Sequence, residues 1–147
     1  MAREEDAPQL LLENQLCFPL YAAARRIVTQ YTPYLKPLGL TYTQYIVMLA
    51  LWETETATVG ELGQRLFLDN GTLTPLLKKL EEAGFVTRRR SSRDERVVQI
   101  TVTEQGWNLR EQAKAVPFRV GRCVCLEPEE ARLLHRVLYK LLDGFDG

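Results

Sequence analysis

Residues 58–84 have the sequence TVGELGQRLFLDNGTLTPLLKKLEEAG, which predicts two helices separated by a short turn. Thr58 followed by Glu61 has the spacing of a capping box, so a short helix should begin there and end near Leu66. Residues 69–71, DNG, predict the turn, and an amphipathic helix should cover residues 72–83 until Gly84 ends it. The buried stripe of this second helix should contain Leu73, Leu76, Leu77 and Leu80.

A two-stranded β-hairpin is predicted immediately after these helices. Residues 85–88 and 97–102 are rich in alternating and β-branched side chains, and the polar segment SSRDE at residues 91–95 separates them. Thr41 should begin another helix over residues 42–53, upstream of the pair. The resulting order is that of a winged helix-turn-helix, whose second helix fits the major groove of DNA while the hairpin reaches the minor groove. A generic three-helix core with an appended hairpin is the alternative.

Helices are also predicted on both sides of this unit. Apolar side chains recur at three- and four-residue steps over residues 16–34, and Pro19 is tolerated only in a first turn, so this helix should begin near Cys17. Further helices should run from Gly106 to about residue 116 and over residues 128–142. Together with the leucines at residues 10–12 they carry more apolar surface than one small domain covers. The sequence thus predicts a mainly α-helical protein with a small β-hairpin wing.

The charge of the chain is balanced overall but unevenly distributed. The 147 residues are 46% hydrophobic and 26% charged, which predicts one compact domain. Residues 1–64 contain four Lys or Arg and seven Asp or Glu, whereas residues 65–96 contain eight and five, a net charge of +3. Five arginines fall within nine positions, at 88, 89, 90, 93 and 96. This density favours contact with phosphate, and an ordinary solvated loop is the alternative.

Several other classes of protein are disfavoured by composition. No apolar run approaches the roughly 20 residues of a membrane span, and the acidic start at residues 3–6 does not resemble a signal peptide, so we expect a cytoplasmic protein without a membrane partner. Three cysteines, an odd number, argue against a disulfide scaffold. His135 is the only histidine, so we expect neither a metal site nor another cofactor.

Motifs along nearly the whole chain resemble the MarR family of bacterial transcription regulators. They are LTPLLKKLE at residues 73–81, GFV at residues 84–86, and DER at residues 94–96 followed by Thr103 and Gly106. Residues 13–18, ENQLCF, with Tyr21, Tyr31 and Tyr42, are similar to the organic hydroperoxide-responsive repressors within that family. The chain departs from this branch at Asn70, where serine is usual, and at Val102, where leucine is usual.

The resemblance implies a DNA-binding repressor rather than an enzyme. Residues 1–147 would form a single MarR-type domain, with a winged helix-turn-helix lobe at residues 41–102 and dimerisation helices at residues 1–40 and 103–147. A homodimer would bind a palindromic double-stranded operator. Asp94 would brace Arg96 as it enters the minor groove, since a carboxylate beside phosphate requires a cation as partner. The other expected DNA contacts are Asn70, Thr72, Thr74, Lys78, Lys79, Arg88, Arg89, Arg90 and Arg93.

The resemblance also implies that Cys17 senses organic hydroperoxide. Its thiolate would be oxidised to a sulfenic acid and then form a disulfide with the other subunit, releasing the operator. Cys123 is favoured as the resolving thiol by its distance after Val116, and Cys125 remains the alternative. Tyr31 and Tyr42 would donate hydrogen bonds to the thiolate, and Tyr21 belongs to the same motif.

Two alternative functions stay open at this point. In the first, Cys17 is a bystander that packs as a small buried hydrophobic residue, as single helical cysteines often do. The repressor would then be released by a small aromatic ligand. A thiol peroxidase is the second alternative, and it would show sustained turnover with a reductant. Loss of DNA binding after organic hydroperoxide, reversed by dithiothreitol, distinguishes these functions.

Overall fold

The computed structural model describes residues 7–146, so the acidic run at residues 3–6 lies outside the described part. Two 3-10 turns, Pro8–Leu10 and Leu12–Asn14, precede the first long helix, and a third, Lys36–Leu38, follows it. The helices are α1 (Cys17–Leu35), α2 (Tyr42–Thr54), α3 (Val59–Leu66), α4 (Asn70–Glu82), α5 (Glu104–Ala113), α6 (Val116–Gly121) and α7 (Pro128–Phe145). The strands are β1 (Thr56–Thr58), β2 (Val86–Arg90) and β3 (Val98–Val102).

The first two helices begin where the sequence predicts. α1 starts at Cys17 with Pro19 in its first turn, where the missing N–H of proline costs no helical hydrogen bond. The chain reverses at Gly39, whose φ of +72° suits glycine. Thr41 then caps α2, because its hydroxyl accepts the Gln44 N–H while the Gln44 side chain accepts the Thr41 N–H.

α3 and α4 form the predicted helix-turn-helix, with one shift of boundary. The expected capping box closes α3: Thr58 Oγ1 accepts the Glu61 N–H at 3.1 Å and Glu61 Oε2 accepts the Thr58 N–H at 2.8 Å. α4 begins at Asn70, two residues earlier than predicted, because Asp69 Oδ1 accepts the Thr72 N–H at 2.7 Å. Leu73, Leu77 and Leu80 are buried as expected, but Leu76 is only half-buried.

The wing hairpin is part of a three-stranded antiparallel sheet, so the prediction of two strands was incomplete. β1 pairs with β3 and gives the order β1-β3-β2. Its three residues are too few to show an alternating pattern in the sequence. The hairpin of β2 and β3 was predicted, and its register places Arg88 opposite Ile100 and Arg90 opposite Val98.

The helices after the sheet differ from the prediction in number. Thr103 caps α5 by accepting the Gly106 N–H at 3.1 Å, so Gly106 lies in the first turn and does not precede the helix. A Cβ atom at Gly106 would lie 2.3 Å from the Phe85 carbonyl oxygen, which requires glycine at this contact. α5 ends at Ala113, and a separate α6 with Pro117 near its start follows, although one helix was predicted here.

The core lies between α2, α3, α4, α5 and the sheet, whereas the outer helices are largely uncovered. Leu35 is the only buried residue of α1, and every residue described in α7 is at least partly exposed. Leu16 of the segment before α1 is 86% exposed. No helix of residues 7–146 is both long and apolar enough to span a membrane. The most deeply buried side chains are Leu35, Val47, Met48, Leu51, Leu62, Leu73, Leu77, Leu80, Val86 and Ile100.

Candidate DNA-binding surface and cysteine site

The start of α4 presents polar side chains to solvent. Asn70, Thr72 and Thr74 are all exposed, and Lys78 and Lys79 are exposed further along the helix. The Thr74 hydroxyl donates to the Asn70 carbonyl oxygen at 2.8 Å. Pro75 has no N–H, so the carbonyl oxygen four residues earlier lacks its helical hydrogen bond. The first turn of α4 therefore offers a partner this backbone acceptor as well as polar side chains.

The tip of the wing is organised around Asp94. Its Oδ1 accepts the Arg96 backbone N–H at 3.0 Å and lies 3.3 Å from Arg96 Nε. The side chain of Arg96 is nevertheless 92% exposed. Arg90 donates to the Glu95 carbonyl oxygen at 2.8 Å, which closes the loop on the other strand. Arg93 is exposed between them.

The three consecutive arginines of β2 are not equivalent. Arg88 is half-buried, and Glu81 of α4 accepts both its backbone N–H at 3.2 Å and its Nε–H at 3.1 Å. Arg89 and Arg90 are exposed. Arg88 therefore joins α4 to the sheet, while Arg89 has its charge in solvent. From the sequence alone, all three arginines were predicted to contact phosphate.

A cleft of about 360 Å³ lies between α4 and the wing. Asn70, Thr74 and Arg96 line it, which brings together residues from both predicted DNA-contacting elements. Val59 and Gly60, at the N-terminus of α3, also line it and were missed. Backbone N–H groups at a helix N-terminus attract phosphate. The capping box at Thr58 signalled this helix start, but only the tertiary fold places it beside the wing.

Cys17 is exposed in the first turn of α1. Tyr21 lies one turn further along, and the Arg25 guanidinium carbon is 5.5 Å from the centroid of its ring. Tyr31 follows Cys17 by fourteen residues of the same helix. At 1.5 Å per residue, about 21 Å of helix separates the two. Within one chain, Cys17 and Tyr31 therefore lie far apart.

Tyr31, Tyr42 and Tyr45 form a cluster where α1 meets α2. The centroid of the Tyr31 ring is 4.8 Å from that of Tyr42 and 5.7 Å from that of Tyr45. Burial raises the pKa of Tyr31 and Tyr42, and raises the pKa of Tyr45 to about 12. All three phenols are therefore protonated hydrogen-bond donors near neutral pH. Tyr45 was missed, although its spacing of three from Tyr42 on a helix places the two on one face.

Cys123 and Cys125 are exposed and flank Val124 in the segment between α6 and α7. Both line one cleft of about 410 Å³, opposite Ala23 and Ile27 of α1. Ala23 lies about 9 Å along the helix from Cys17. The cleft thus faces the middle of α1 and does not choose between the two candidate resolving thiols. Within residues 7–146, no three His, Cys, Asp or Glu side chains are grouped as metal ligands.

Comparisons with known proteins agree with this arrangement. The family described as "Transcriptional regulator SarA/Rot" matches residues 29–112. The organic hydroperoxide resistance transcriptional regulator of Bacillus subtilis (strain 168) is 46% identical over 140 residues, which cover 95% of each chain.

Solved structures of AbfR, from Staphylococcus epidermidis, share the fold. The overoxidised form bound to DNA has a TM-score of 0.76 at 38% identity and covers 93% of this chain and 96% of its own. The disulfide form has a TM-score of 0.63 at 39% identity, with coverages of 91% and 94%. These matches confirm the predicted winged helix-turn-helix. The chain belongs to the MarR family of transcription regulators, in the branch of the organic hydroperoxide-responsive repressors.

Proposed function

We propose that this protein is a homodimeric repressor of transcription that leaves its operator when organic hydroperoxide oxidises Cys17. In the reduced state, two copies bind a palindromic double-stranded DNA site. Oxidation gives a sulfenic acid at Cys17 and then a disulfide to Cys123 of the other subunit. The protein acts once per oxidation event as a switch and does not turn over as an enzyme.

The proposed DNA surface is supported by the exposure and charge of α4 and the wing. Asn70 and Thr72 are exposed at the start of the helix that would enter the major groove. Arg96 is exposed to solvent with its backbone held by Asp94, which leaves its guanidinium available to the negative potential of a minor groove. Lys78, Lys79 and Arg89 supply exposed cations for phosphate.

The proposed dimer is supported by the apolar faces of the outer helices. Ile27 and Val28 of α1 are 38% and 39% exposed, and Leu133 and Leu141 of α7 are 51% and 45% exposed. Leu133 and Leu141 lie eight residues apart on one face of α7, and all four side chains are only partly covered within one chain. A second copy buries such faces and simultaneously presents two recognition helices to the two half-sites of a palindrome.

The length of α1 supports a sensing site built from both subunits. Because about 21 Å of helix separates Cys17 from Tyr31 in one chain, the tyrosines that stabilise the Cys17 thiolate come from the partner. Tyr31 and Tyr42 retain their phenolic protons because burial raises their pKa. Each phenol is therefore a hydrogen-bond donor that could point at the sulfur of Cys17 in the dimer.

The proposed reaction has two steps. The Cys17 thiolate attacks the terminal peroxide oxygen, the O–O bond breaks to give the sulfenic acid, and the leaving alkoxide takes a proton from water to become the alcohol. The Cys123 thiolate then attacks the sulfenic sulfur, and hydroxide leaves as water once protonated. An intersubunit bond is favoured because the cleft that Cys123 lines faces residues 23–30 of its own α1, and Cys17 does not line that cleft.

The observation that carries the proposal is that one chain combines an exposed Cys17 with a wing in which Asp94 accepts a hydrogen bond from Arg96. An operator-binding titration before and after one equivalent of cumene hydroperoxide tests it. We expect release that dithiothreitol reverses, and a covalent dimer on non-reducing electrophoresis. Cys17→Ser should bind normally and stay bound, because a hydroxyl is far less nucleophilic than a thiolate. Release of Cys17→Ser by hydroperoxide would disprove the sensing role.

A second candidate function rests on a cleft beside Tyr42. This cleft measures about 470 Å³ and is lined by Val28, Thr32 and Leu40. Its apolar wall and neighbouring phenol suit a small aromatic ligand. Release of the operator by such a ligand from both the wild type and Cys17→Ser would favour this function. Continuous consumption of hydroperoxide with a thiol reductant would instead indicate a peroxidase.

A further inference from the structure

Cys125 is left without a role if Cys123 resolves the sulfenic acid. Both thiols are exposed, both lie in the segment between α6 and α7, and both line the same cleft. Cys123 is held at the end of α6, where its N–H donates to the Val120 carbonyl oxygen at 2.8 Å and its Sγ lies 3.8 Å from the Arg119 carbonyl oxygen. Cys125 lies beyond it in a segment without helix or strand.

The separation of the two residues allows a bond between them. Cys123 lies in the turn after α6, and even in a fully extended stretch the Cα atoms of residues two positions apart would be only about 6.6 Å from each other. Disulfides form at Cα separations of about 4.4–6.8 Å. A thiol tethered this closely has an effective concentration on the order of millimolar or higher. Cys125 therefore reaches the sulfur of Cys123 more readily than any thiol in dilute solution does.

We propose that Cys125 is an exchange thiol that resets the oxidised repressor. This inference rests on the proposed function. The Cys125 thiolate attacks Cys123 Sγ of the intersubunit disulfide, the Cys123–Cys125 bond forms, and the bond to the partner subunit's Cys17 breaks. The electron pair leaves with that Cys17 as a thiolate. The disulfide then lies within one exposed segment, where two molecules of a small thiol such as glutathione reduce it and become oxidised to their own disulfide.

Both cysteines fall on one tryptic peptide, residues 123–132, and Cys17 falls on another, residues 4–25. The intact dimer is oxidised with one equivalent of cumene hydroperoxide, sampled over time, alkylated and digested. We expect a covalent dimer first. It then declines while a 123–132 peptide appears that carries no alkyl group and is two hydrogen atoms lighter. Fragmentation between positions 123 and 125 identifies which cysteine joins Cys17.

The decisive variant is Cys125→Ser, with Val124→Ser as the matched control in the same segment. After addition of glutathione, the covalent dimer of Cys125→Ser should persist several-fold longer than that of the wild type, and operator binding should recover correspondingly more slowly. Val124→Ser retains both thiols and should behave as the wild type does. Equal lifetimes in the wild type and Cys125→Ser would overturn the inference, as would a disulfide between Cys17 and Cys125.

A second measurement separates this inference from the proposed sensing role. Cys17→Ser is treated with oxidised glutathione, which supplies the oxidising equivalents without hydroperoxide. We expect residues 123–132 to close into the lighter, unalkylated peptide. Failure to close would overturn the exchange step while leaving Cys17 as the sensor. Absence of a covalent dimer in the wild type and in Cys125→Ser would overturn both proposals together.

Discussion

Asp94 holds Arg96 through a single carboxylate oxygen, which accepts the Arg96 backbone N–H at 3.0 Å and lies 3.3 Å from its Nε. The contact orients the arginine but leaves its side chain 92% exposed. An ion pair this exposed contributes little to folding. We expect it to restrict the conformations of the wing tip before DNA is present, so that less entropy would be lost on binding the proposed operator.

Arg96→Ala should therefore weaken operator binding by about 1–3 kcal/mol, the range for a side chain that contacts bases. Asp94→Asn should weaken binding less, because Arg96 remains and only its brace is impaired. Fluorescence anisotropy on a labelled operator measures both effects, with circular dichroism to establish an unchanged helical fold. An operator affinity of Arg96→Ala equal to that of the wild type would remove this residue from the DNA surface.

Arg89→Ala should weaken binding equally on operator and random DNA and reduce the salt slope by about one. Arg88→Ala is the matched comparison from the same strand. Because Arg88 pairs with Glu81, its loss should lower thermal stability and leave the salt slope close to that of the wild type. Titrations at several salt concentrations, with a melting curve for each variant, measure both effects. A reduced salt slope for Arg88→Ala together with an unchanged salt slope for Arg89→Ala would contradict these roles.

Local signals in the sequence were sufficient for most of the helical fold. The capping box at Thr58 and Glu61 depends on residues three apart, so the start of α3 is determined locally. β1 was missed because its three residues form a strand only when β3 lies beside them. The break before α6 was missed for a similar reason, since Pro117 is compatible with a helix start as well as with a turn.

The arrangement of the candidate site residues was predicted less completely than the fold. Residues that lie within family motifs were all proposed from the sequence, among them Cys17, Tyr31, Asp94 and Arg96. The sequence did not distinguish Arg88 from its neighbours, because its partner Glu81 lies on a different element. Tyr45 was missed because a tyrosine in an apolar helix looks like a core residue, which in part it is, at 2% exposure.

Tyr45 should make stability depend on pH at alkaline values. Burial raises its pKa from 10.0 to about 12, with smaller contributions from Tyr31 and Tyr42. The folded state therefore holds this proton more tightly, so the stabilisation is complete below pH 10 and is lost as pH rises towards 12. Tyr45→Phe should flatten the decline of the unfolding free energy in that window. Urea unfolding at several pH values checks this, with the exposed Tyr139→Phe as control.

Tyr31→Phe and Tyr42→Phe should each slow oxidation of Cys17 without preventing it. Each change removes one hydroxyl donor and leaves both the sulfur and the aromatic packing of the cluster in place. Stopped-flow measurement of sulfenic acid formation gives the rates, and operator binding of the reduced variants should be unchanged. Rates equal to that of the wild type in both variants would mean that these tyrosines only pack.

Mixed dimers should reveal which subunit supplies the tyrosines. One chain carries Cys17→Ser and the other carries both Tyr31→Phe and Tyr42→Phe, with different affinity tags for purification. The only reactive Cys17 then lies on the chain without the two hydroxyls. Since about 21 Å of helix separates Cys17 from Tyr31 in one chain, its donors should be the intact tyrosines of the partner, and oxidation should proceed at the wild-type rate per site. Oxidation as slow as in the homodimer of the double variant would place the donors on the same chain. A mixed dimer of wild type and Cys17→Ser controls for the effect of having one reactive site.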